Sequence, residues 1–218
     1  MMPKKRLVKS WAYSALTLYE KCPASYKAAK IDKIQSSRKS PAMERGIMIH
    51  AKGEQYLKGV IPNVPMEFAD FKTELQNLRK HKASAERKLA ITKSWKPTGF
   101  FDRDVWMRFI IDSDLEMESG RLVIDFKTGK IYDSNEDQAQ LYATALLYAG
   151  NRTIDTEFWY LDIGEIISNC YEEKQKKMYR EYWEDRVAPL FADTKFETNP
   201  SSFNCRWCVI RDKCEVAE

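Results

Sequence analysis

Four cysteines near the two ends of the sequence constrain the fold more than any other feature. Three of them form the pattern Cys205-x2-Cys208-x5-Cys214. The fourth, Cys22, lies close to the beginning, where the Cys22-Pro23 pair predicts a break in a short helix. Close spacing of this kind is typical of metal ligands. If the four thiolates bind one metal centre, the two ends of the chain must meet and close a loop about as long as the whole domain.

Two kinds of metal centre are compatible with this pattern. Structural zinc usually has two close pairs of ligands, whereas an iron-sulphur cluster tolerates a distant ligand and irregular spacing. The single close pair and the distant Cys22 therefore favour the cluster, with structural zinc as the alternative. The fifth cysteine, Cys170, falls in a predicted strand, where we expect it to be a buried apolar residue.

Length and composition predict one globular domain. The chain of 218 residues is long enough for one substantial core, so we expect a single domain over residues 1–218, in which 1–30 and 196–218 form the cluster subregion. No apolar run is long enough to span a membrane, and the basic beginning lacks the apolar segment of a signal peptide. We therefore expect a cytoplasmic protein, in which disulfides are disfavoured.

The positive charge is distributed in a way that suits a polyanion. The net charge is only +4, but basic residues concentrate in three segments. The segments are 27–39, 72–88 and 174–186. Each also contains acidic residues, as many solvated helices do, so charge alone does not decide for nucleic acid.

A short strand carries the residues with the most distinctive chemistry. Residues 123–129 are apolar and end in a carboxylate, an ammonium group and a turn glycine. Side chains alternate along a strand, so Asp125 and Lys127 project to one face while Ile124 and Phe126 project to the other. An acid and a base on one face can hold a metal ion and a water molecule together, although most isolated Asp-x-Lys pairs are ordinary ion pairs.

The preceding segment predicts an antiparallel partner for this strand. Residues 105–112 are rich in branched and aromatic side chains, and residues 114–120 have the polar character of a hairpin connection. Across such a hairpin Asp112 can approach Asp125. Two carboxylates thus converge.

Helices are predicted on both sides of these strands. One begins at Ser40-Pro41 and runs to about Gly59, with His50 pointing inward. A second covers residues 68–86, and a third, from 134 to 148, carries Gln138 and Tyr142 on one face. With further strands at 89–95, 153–161 and 166–171, the sequence predicts an α/β fold with a mixed sheet.

These motifs resemble a known family when they are taken in order. Gly46-Ile47-Met48-Ile49-His50, then Asp112, then Asp125-Phe126-Lys127, then Gln138-x3-Tyr142 resemble the RecB-like branch of the PD-(D/E)XK nuclease superfamily. The four cysteines make the chain similar to the members whose nuclease domain is stapled by a 4Fe-4S cluster. Those members include CRISPR-associated and phage-encoded small exonucleases.

The resemblance implies both a fold and an activity. The fold would be a restriction-endonuclease-like core with a central mixed β-sheet flanked by helices, and a four-cysteine cluster would clasp the ends. The activity would be Mg²⁺- or Mn²⁺-dependent hydrolysis of DNA phosphodiester bonds, as an exonuclease, in recombination, repair, phage DNA processing or CRISPR adaptation. The substrate would be DNA that is single-stranded or has free ends, and helicase, recombination or CRISPR adaptation proteins would be partners.

The resemblance also assigns roles to individual residues. The metal ligands would be His50, Asp112, Asp125 and the backbone carbonyl of Phe126. Lys127 would position the attacking water, with Gln138 and Tyr142 orienting Lys127 or the scissile strand, and the cluster ligands would be Cys22, Cys205, Cys208 and Cys214.

One position departs from the family pattern. The family often has a glycine three residues before the first metal-binding aspartate, and Phe109 stands there before Asp112. Asp102 is an alternative candidate for this aspartate, because in Gly99-Phe100-Phe101-Asp102 a glycine does stand three residues before it. We favour Asp112, because its spacing to Asp125 fits a hairpin.

A different class of function is also open. The chain could be a non-catalytic DNA-binding or adaptor subunit that keeps the fold and the cluster. Degenerate members of the family usually lose the lysine or a carboxylate, and both are present here, which favours the enzyme.

Overall fold

The structure is a computed structural model that describes residues 7–35, 40–132 and 134–217. Residues 36–39 of the first basic segment are therefore outside the described part. The chain divides into two compact units, of which one is Pro41–Arg180 and the other combines Met1–Ser40 with Glu181–Glu218. That the chain functions as a single nuclease domain over 1–218 stays a prediction.

The helices and strands follow one another in the α/β order that the sequence predicts. The α-helices are α1 Tyr13–Lys21, α2 Pro23–Tyr26, α3 Pro41–Leu57, α4 Lys72–Lys80, α5 Ser134–Tyr148, α6 Lys176–Ala192 and α7 Ser202–Cys205. The strands are β1 Ser84–Thr92, β2 Pro97–Thr98, β3 Val105–Met117, β4 Gly120–Lys127, β5 Thr153–Tyr160 and β6 Glu165–Glu172. Short 3-10 turns cover Met66–Phe71, Glu173–Gln175 and Arg211–Lys213, and a π-helical turn covers Lys27–Ile31.

All six strands form one mixed sheet in the order β2-β1-β3-β4-β5-β6. Among the described strands, β4 and β5 are the one parallel pair. A parallel connection needs a long crossover, and α5 lies between these two strands in the sequence. The other neighbours are antiparallel. A mixed sheet flanked by helices confirms the predicted fold class.

The alternation of side chains on β4 separates a core face from a polar face. Ile124 and Phe126 are buried in an apolar cluster that includes residues of α3 and α4. Gly53 sets how closely α3 approaches, because a Cβ atom there would lie 2.9 Å from both the Phe126 and Phe68 rings. This close packing places the helix that carries His50 directly against the strand that carries Asp125.

Helix α5 lies against the other side of the sheet. The Tyr142 ring stacks on Phe109 of β3 at a centroid distance of 4.9 Å. Val123 and Asp125 of β4 line a small pocket together with Gln138 and Tyr142. The face of β4 that carries Asp125 therefore faces α5, the helix that carries Gln138.

The hairpin between β3 and β4 is tighter than the sequence predicts. Both strands extend beyond the expected connection, and Asp114 is a buried strand residue rather than a loop residue. Its carboxylate accepts a hydrogen bond from Arg87 at 2.6 Å and forms an ion pair with Arg121. This pairing lets a charge remain inside the sheet, and hydropathy alone cannot reveal it.

Two other predictions in this part of the chain were wrong. The helix predicted for 68–86 ends at Lys80, because Lys82 turns into the left-handed region with φ of 57°, and residues from Ser84 onward join β1. Cys170 is exposed rather than buried, because on the edge strand β6 its neighbour Tyr171 faces the core. The strand predicted for 89–95 is β1, which ends at Thr92.

The unit that contains both ends of the chain is organised around aromatic contacts. Trp11 lies 6.4 Å from Trp183 between ring centroids, and Tyr26 stacks on Phe196 at 6.2 Å. Cys22 lies at the break between α1 and α2, as the Cys22-Pro23 pair predicts. Among the described residues, no helix is long and apolar enough to cross a membrane.

Candidate metal centre

The antiparallel register of β3 and β4 brings two carboxylates together. Ser113 pairs with Ile124, so the next residues outward, Asp112 and Asp125, are neighbours across the two strands. Asp112 Oδ2 accepts a hydrogen bond from the Phe126 backbone N–H at 2.7 Å. The Asp112 carboxylate is thereby held in a fixed orientation at the end of the hairpin.

His50 comes to the same point from α3. Its Nδ1 atom lies 3.1 Å from Asp112 Oδ1, and its ring makes an edge contact with Phe126. Burial lowers the pKa of His50, but the hydrogen bond and the negative charge of Asp112, with smaller help from Asp125, outweigh burial and raise this pKa above its usual value. The surroundings of His50 therefore favour the positively charged form of its imidazole ring.

A third acidic residue, Glu86, completes this group. One ligand atom each from His50, Glu86 and Asp112 can be chosen so that all lie within 4.8 Å of one another. Glu86 lies on β1 between two residues that pair with Ile111 and Ser113 of β3, which puts it opposite Asp112. Sequence reasoning missed Glu86, because it fell inside the predicted helix 68–86.

The backbone at Glu86 is strained. Its φ of 52° is in the left-handed region, which costs a residue with a Cβ atom about 1 kcal/mol or more. Such strain persists where the surrounding structure determines it, and it often marks a functional site. Here it occurs where the Glu86 carboxylate joins the His50–Asp112 pair.

The negative charges in this group repel one another. Burial, and then the charges of Asp112 and Glu54, raise the pKa of Glu86. Burial is also the main cause that raises the pKa of Asp125; Lys127 opposes the shift and Asp112 adds to it. Several carboxylates whose ionised forms are disfavoured by burial and by one another fit a site that a cation neutralises.

Lys127 and Gln138 form a separate network around Asp125. Lys127 Nζ lies 2.7 Å from Asp125 Oδ2 and donates to Gln138 Oε1 at 3.1 Å. The Gln138 amide nitrogen donates to Asp125 Oδ1 at 2.9 Å and to the Tyr142 hydroxyl at 3.2 Å. Gln138 thus contacts the acid, the base and the tyrosine at once.

The rival aspartate, Asp102, lies elsewhere in a turn. Its carboxylate accepts hydrogen bonds from the Gly99 N–H at 2.9 Å and from the Thr98 hydroxyl at 3.1 Å. It is exposed, and it is not among the three residues whose ligand atoms converge at Asp112. The structure therefore gathers His50, Asp112, Asp125, Lys127, Gln138 and Tyr142 near one another and leaves Asp102 out.

An ion pair links the two chain segments that flank this site. The Asp162 carboxylate lies in the turn after β5. It accepts hydrogen bonds from Arg45 Nη1 at 2.8 Å, from Arg45 Nη2 at 2.5 Å and from the Gly129 N–H at 2.7 Å. Arg45 precedes His50 on α3, and Gly129 follows Lys127. The φ of Gly129 is 89°, which glycine adopts readily, and its N–H points toward Asp162. Asp162 therefore fastens the histidine helix to the loop after the lysine.

The residues of this site fit a divalent cation. Carboxylate oxygens from Glu86, Asp112 and Asp125 are hard donors of the kind that Mg²⁺ and Mn²⁺ prefer, and an imidazole nitrogen shifts the preference toward manganese. Phe126 lies between Asp125 and Lys127 with its ring in the core. The role of its backbone carbonyl as a ligand stays a prediction.

The four predicted cluster cysteines come together in the unit that contains both chain ends. Cys22, Cys205, Cys208 and Cys214 line one pocket, and each is a free thiol. The Asn199 N–H donates to Cys22 Sγ at 3.4 Å, and Cys208 Sγ lies 3.4 Å from the Ser25 hydroxyl. An N–H group that donates to sulphur, as Asn199 does to Cys22, is common around metal-bound thiolates.

Comparison with known proteins identifies the class to which this fold and site belong. The chain is a member of the PD-(D/E)XK nuclease superfamily, whose family model matches residues 10–215. The match covers both units and agrees with the predicted restriction-endonuclease-like core. No curated protein matches the sequence.

Among solved structures, the chain is similar to one described as the crystal structure of SSO0001. The two sequences are 15% identical, and the match covers 96% of this chain and 87% of that chain with a TM-score of 0.49.

Proposed function

We propose that this protein is a metal-dependent deoxyribonuclease of the RecB-like branch, acting as an exonuclease on DNA that is single-stranded or has free ends. The observation that carries the proposal is the convergence of His50, Glu86 and Asp112 beside the Asp125–Lys127 pair. Membership of a nuclease superfamily supports the reaction class. The metal would be Mg²⁺ or Mn²⁺, held by His50, Asp112, Asp125, the Phe126 carbonyl and Glu86.

The bound metal ion would lower the pKa of a coordinated water and neutralise charge on the phosphoryl oxygens. The protein residues would do the remaining work. Lys127, which reaches both Asp125 and Gln138, would hold the attacking water and offset phosphate charge. Gln138 would keep the lysine ammonium in place through its amide oxygen while its amide nitrogen orients Asp125. Tyr142 would fix the rotamer of Gln138 from one helical turn away.

A cleavage assay tests this proposal. End-labelled single-stranded and double-stranded DNA would be incubated with the purified chain and Mg²⁺, Mn²⁺ or EDTA. We expect cleavage only with a divalent metal, and loss of cleavage in Asp125→Asn and in Lys127→Met, both of which keep the side-chain size. Absence of cleavage with either metal, or undiminished cleavage in both variants, would overturn the assignment.

We also propose that the four cysteines hold a structural 4Fe-4S cluster, within a subregion formed by residues 1–30 and 196–218. Their common pocket supports one shared centre, and the single close pair supports iron-sulphur over zinc. The free thiols also suit a reducing compartment, and we propose a cytoplasmic location.

Metal analysis of protein purified without oxygen tests the cluster. We expect about four irons per chain and brown colour, both lost in Cys22→Ser but kept in the matched control Cys170→Ser, since Cys170 lies outside the pocket. A colourless protein that contains zinc would overturn the cluster but leave the nuclease proposal intact. Helicase, recombination or CRISPR adaptation proteins are the protein partners that we propose.

A further inference from the structure

Two exposed aromatic rings flank the buried Cys205. Five of the six tryptophans are at most 7% exposed, whereas Trp207 is 46% exposed. Phe203, four residues earlier, is 75% exposed. A single exposed apolar residue needs no explanation. Two large exposed rings on one short segment, one of them the only exposed tryptophan among the described residues, do need an explanation.

A cation lies over one face of each of the two rings. Lys21 Nζ lies 5.6 Å from the centroid of the Phe203 ring, and Arg206 Cζ lies 5.5 Å from the centroid of the Trp207 ring. Distances below about 6 Å are those of cation–π contacts. Each exposed ring is therefore paired with a positive charge rather than being part of a purely apolar patch.

The backbone beneath the rings is held in place. The Asn204 side-chain amide donates to the Lys21 carbonyl at 3.0 Å and to the Asn199 carbonyl at 3.1 Å. The Asn204 N–H donates to the Ser201 hydroxyl at 3.0 Å, which caps α7. Asn204 thus fixes α7 to the end of α1, where Lys21 lies. The rings project from a rigid frame, which lowers the entropy cost of binding a partner.

We propose that Phe203 and Trp207, with Lys21 and Arg206, form a stacking platform for the unpaired bases of single-stranded DNA. Bases stack on aromatic rings without regard to sequence, and the adjacent cations can contact the phosphates. An apolar protein surface would suit the rings, but it would desolvate the two cations without pairing them. A nucleic-acid strand offers bases to the rings and phosphates to the two cations, which favours it over an apolar protein surface.

This inference rests on the proposed action on DNA, and its test does not require cleavage. Trp207 is itself the reporter, because acrylamide reaches an exposed tryptophan far more readily than the five buried ones. In EDTA, oligothymidylate should quench the acrylamide-accessible emission and protect it from acrylamide. An abasic oligonucleotide of the same length, which has the phosphates but no bases, should do neither.

Variants complete the test by fluorescence anisotropy of a labelled oligothymidylate. Trp207→Ala and Phe203→Ala should each weaken binding by about tenfold, while Trp207→Phe, which keeps an aromatic ring, should bind within about threefold of the parent. Equal binding of the abasic strand, or unchanged binding by both alanine variants, would overturn the platform. In that case an intact metal-dependent cleavage would show that the proposed function survives. Conversely, base-dependent quenching without any cleavage would overturn the nuclease activity and keep the platform.

Discussion

Replacing Gln138 tests how the proposed catalytic lysine is held. In Gln138→Met the side chain keeps nearly the same length but loses its hydrogen bonds to Lys127, Asp125 and Tyr142. Hydrogen bonds to charged groups contribute about 1.5–3 kcal/mol each. Lys127 and Asp125 keep their own ion pair, so we expect the lower part of this range to apply.

The expected loss can be stated for the rate. If Gln138 contributes about 1.4–2 kcal/mol to orienting Lys127 in the transition state, kcat falls about 10- to 30-fold. The apparent affinity for Mn²⁺ should change less, since the amide does not join the His50–Glu86–Asp112 group. Single-turnover cleavage at saturating metal measures the first quantity, and a metal titration measures the second.

A matched control lies two residues further along the same helix. Within the described part of the chain, Gln140 Oε1 is buried and has no hydrogen-bond partner. Gln140→Met should therefore keep full cleavage and should not destabilise the fold, because it removes an unsatisfied polar group. If Gln138→Met is folded and cleaves within about twofold of the parent rate, then Gln138 does not position Lys127 and the network has no catalytic role.

Two further predictions concern residues around the site. Glu86→Gln should raise the Mn²⁺ concentration for half-maximal cleavage at least about tenfold, as measured by metal titration. Urea unfolding should show that the metal-free protein is no less stable, because the change removes repulsion with Asp112. Unchanged metal dependence would show that Glu86 is not part of the site. Asp162→Asn should cost about 0.5–1 kcal/mol near neutral pH, since its ion pair with Arg45 is partly exposed. Arg45 is the main cause that holds the pKa of Asp162 below its usual value, so this stabilisation is present at neutral pH and is lost as the pH falls through the lowered pKa. Urea unfolding at several pH values should show the two proteins converging in acid, and a difference that persists there would contradict the ion-pair explanation.

Local patterns were sufficient to predict most of the fold. The alternation on β4, the helix that carries Gln138 and Tyr142, and the break at Cys22-Pro23 are set by side-chain periodicity and by proline, which act over a few residues. The mixed sheet followed from the order of those elements. The alternation, the helix and the break do not depend on distant contacts.

The features that sequence reasoning missed depend on distant contacts. Glu86 was assigned to a helix because its neighbours are helix formers, whereas pairing with β3 draws it into a strand and into a strained φ. Asp114 was expected in a loop because a lone aspartate is polar, yet Arg87 and Arg121 make it a buried strand residue. In both residues a partner far along the chain outweighs the local preference.

Changing Asp112 and Asp102 one at a time tests which aspartate belongs to the metal site. Both would be changed to asparagine, and Mn²⁺-dependent cleavage of end-labelled DNA would be measured for each variant. Asparagine at 102 can still accept the Gly99 N–H, so Asp102→Asn is a matched control for the loss of one charge. We predict that Asp112→Asn abolishes cleavage while Asp102→Asn cleaves DNA at the rate of the parent protein. Undiminished cleavage in Asp112→Asn, or its loss only in Asp102→Asn, would contradict it.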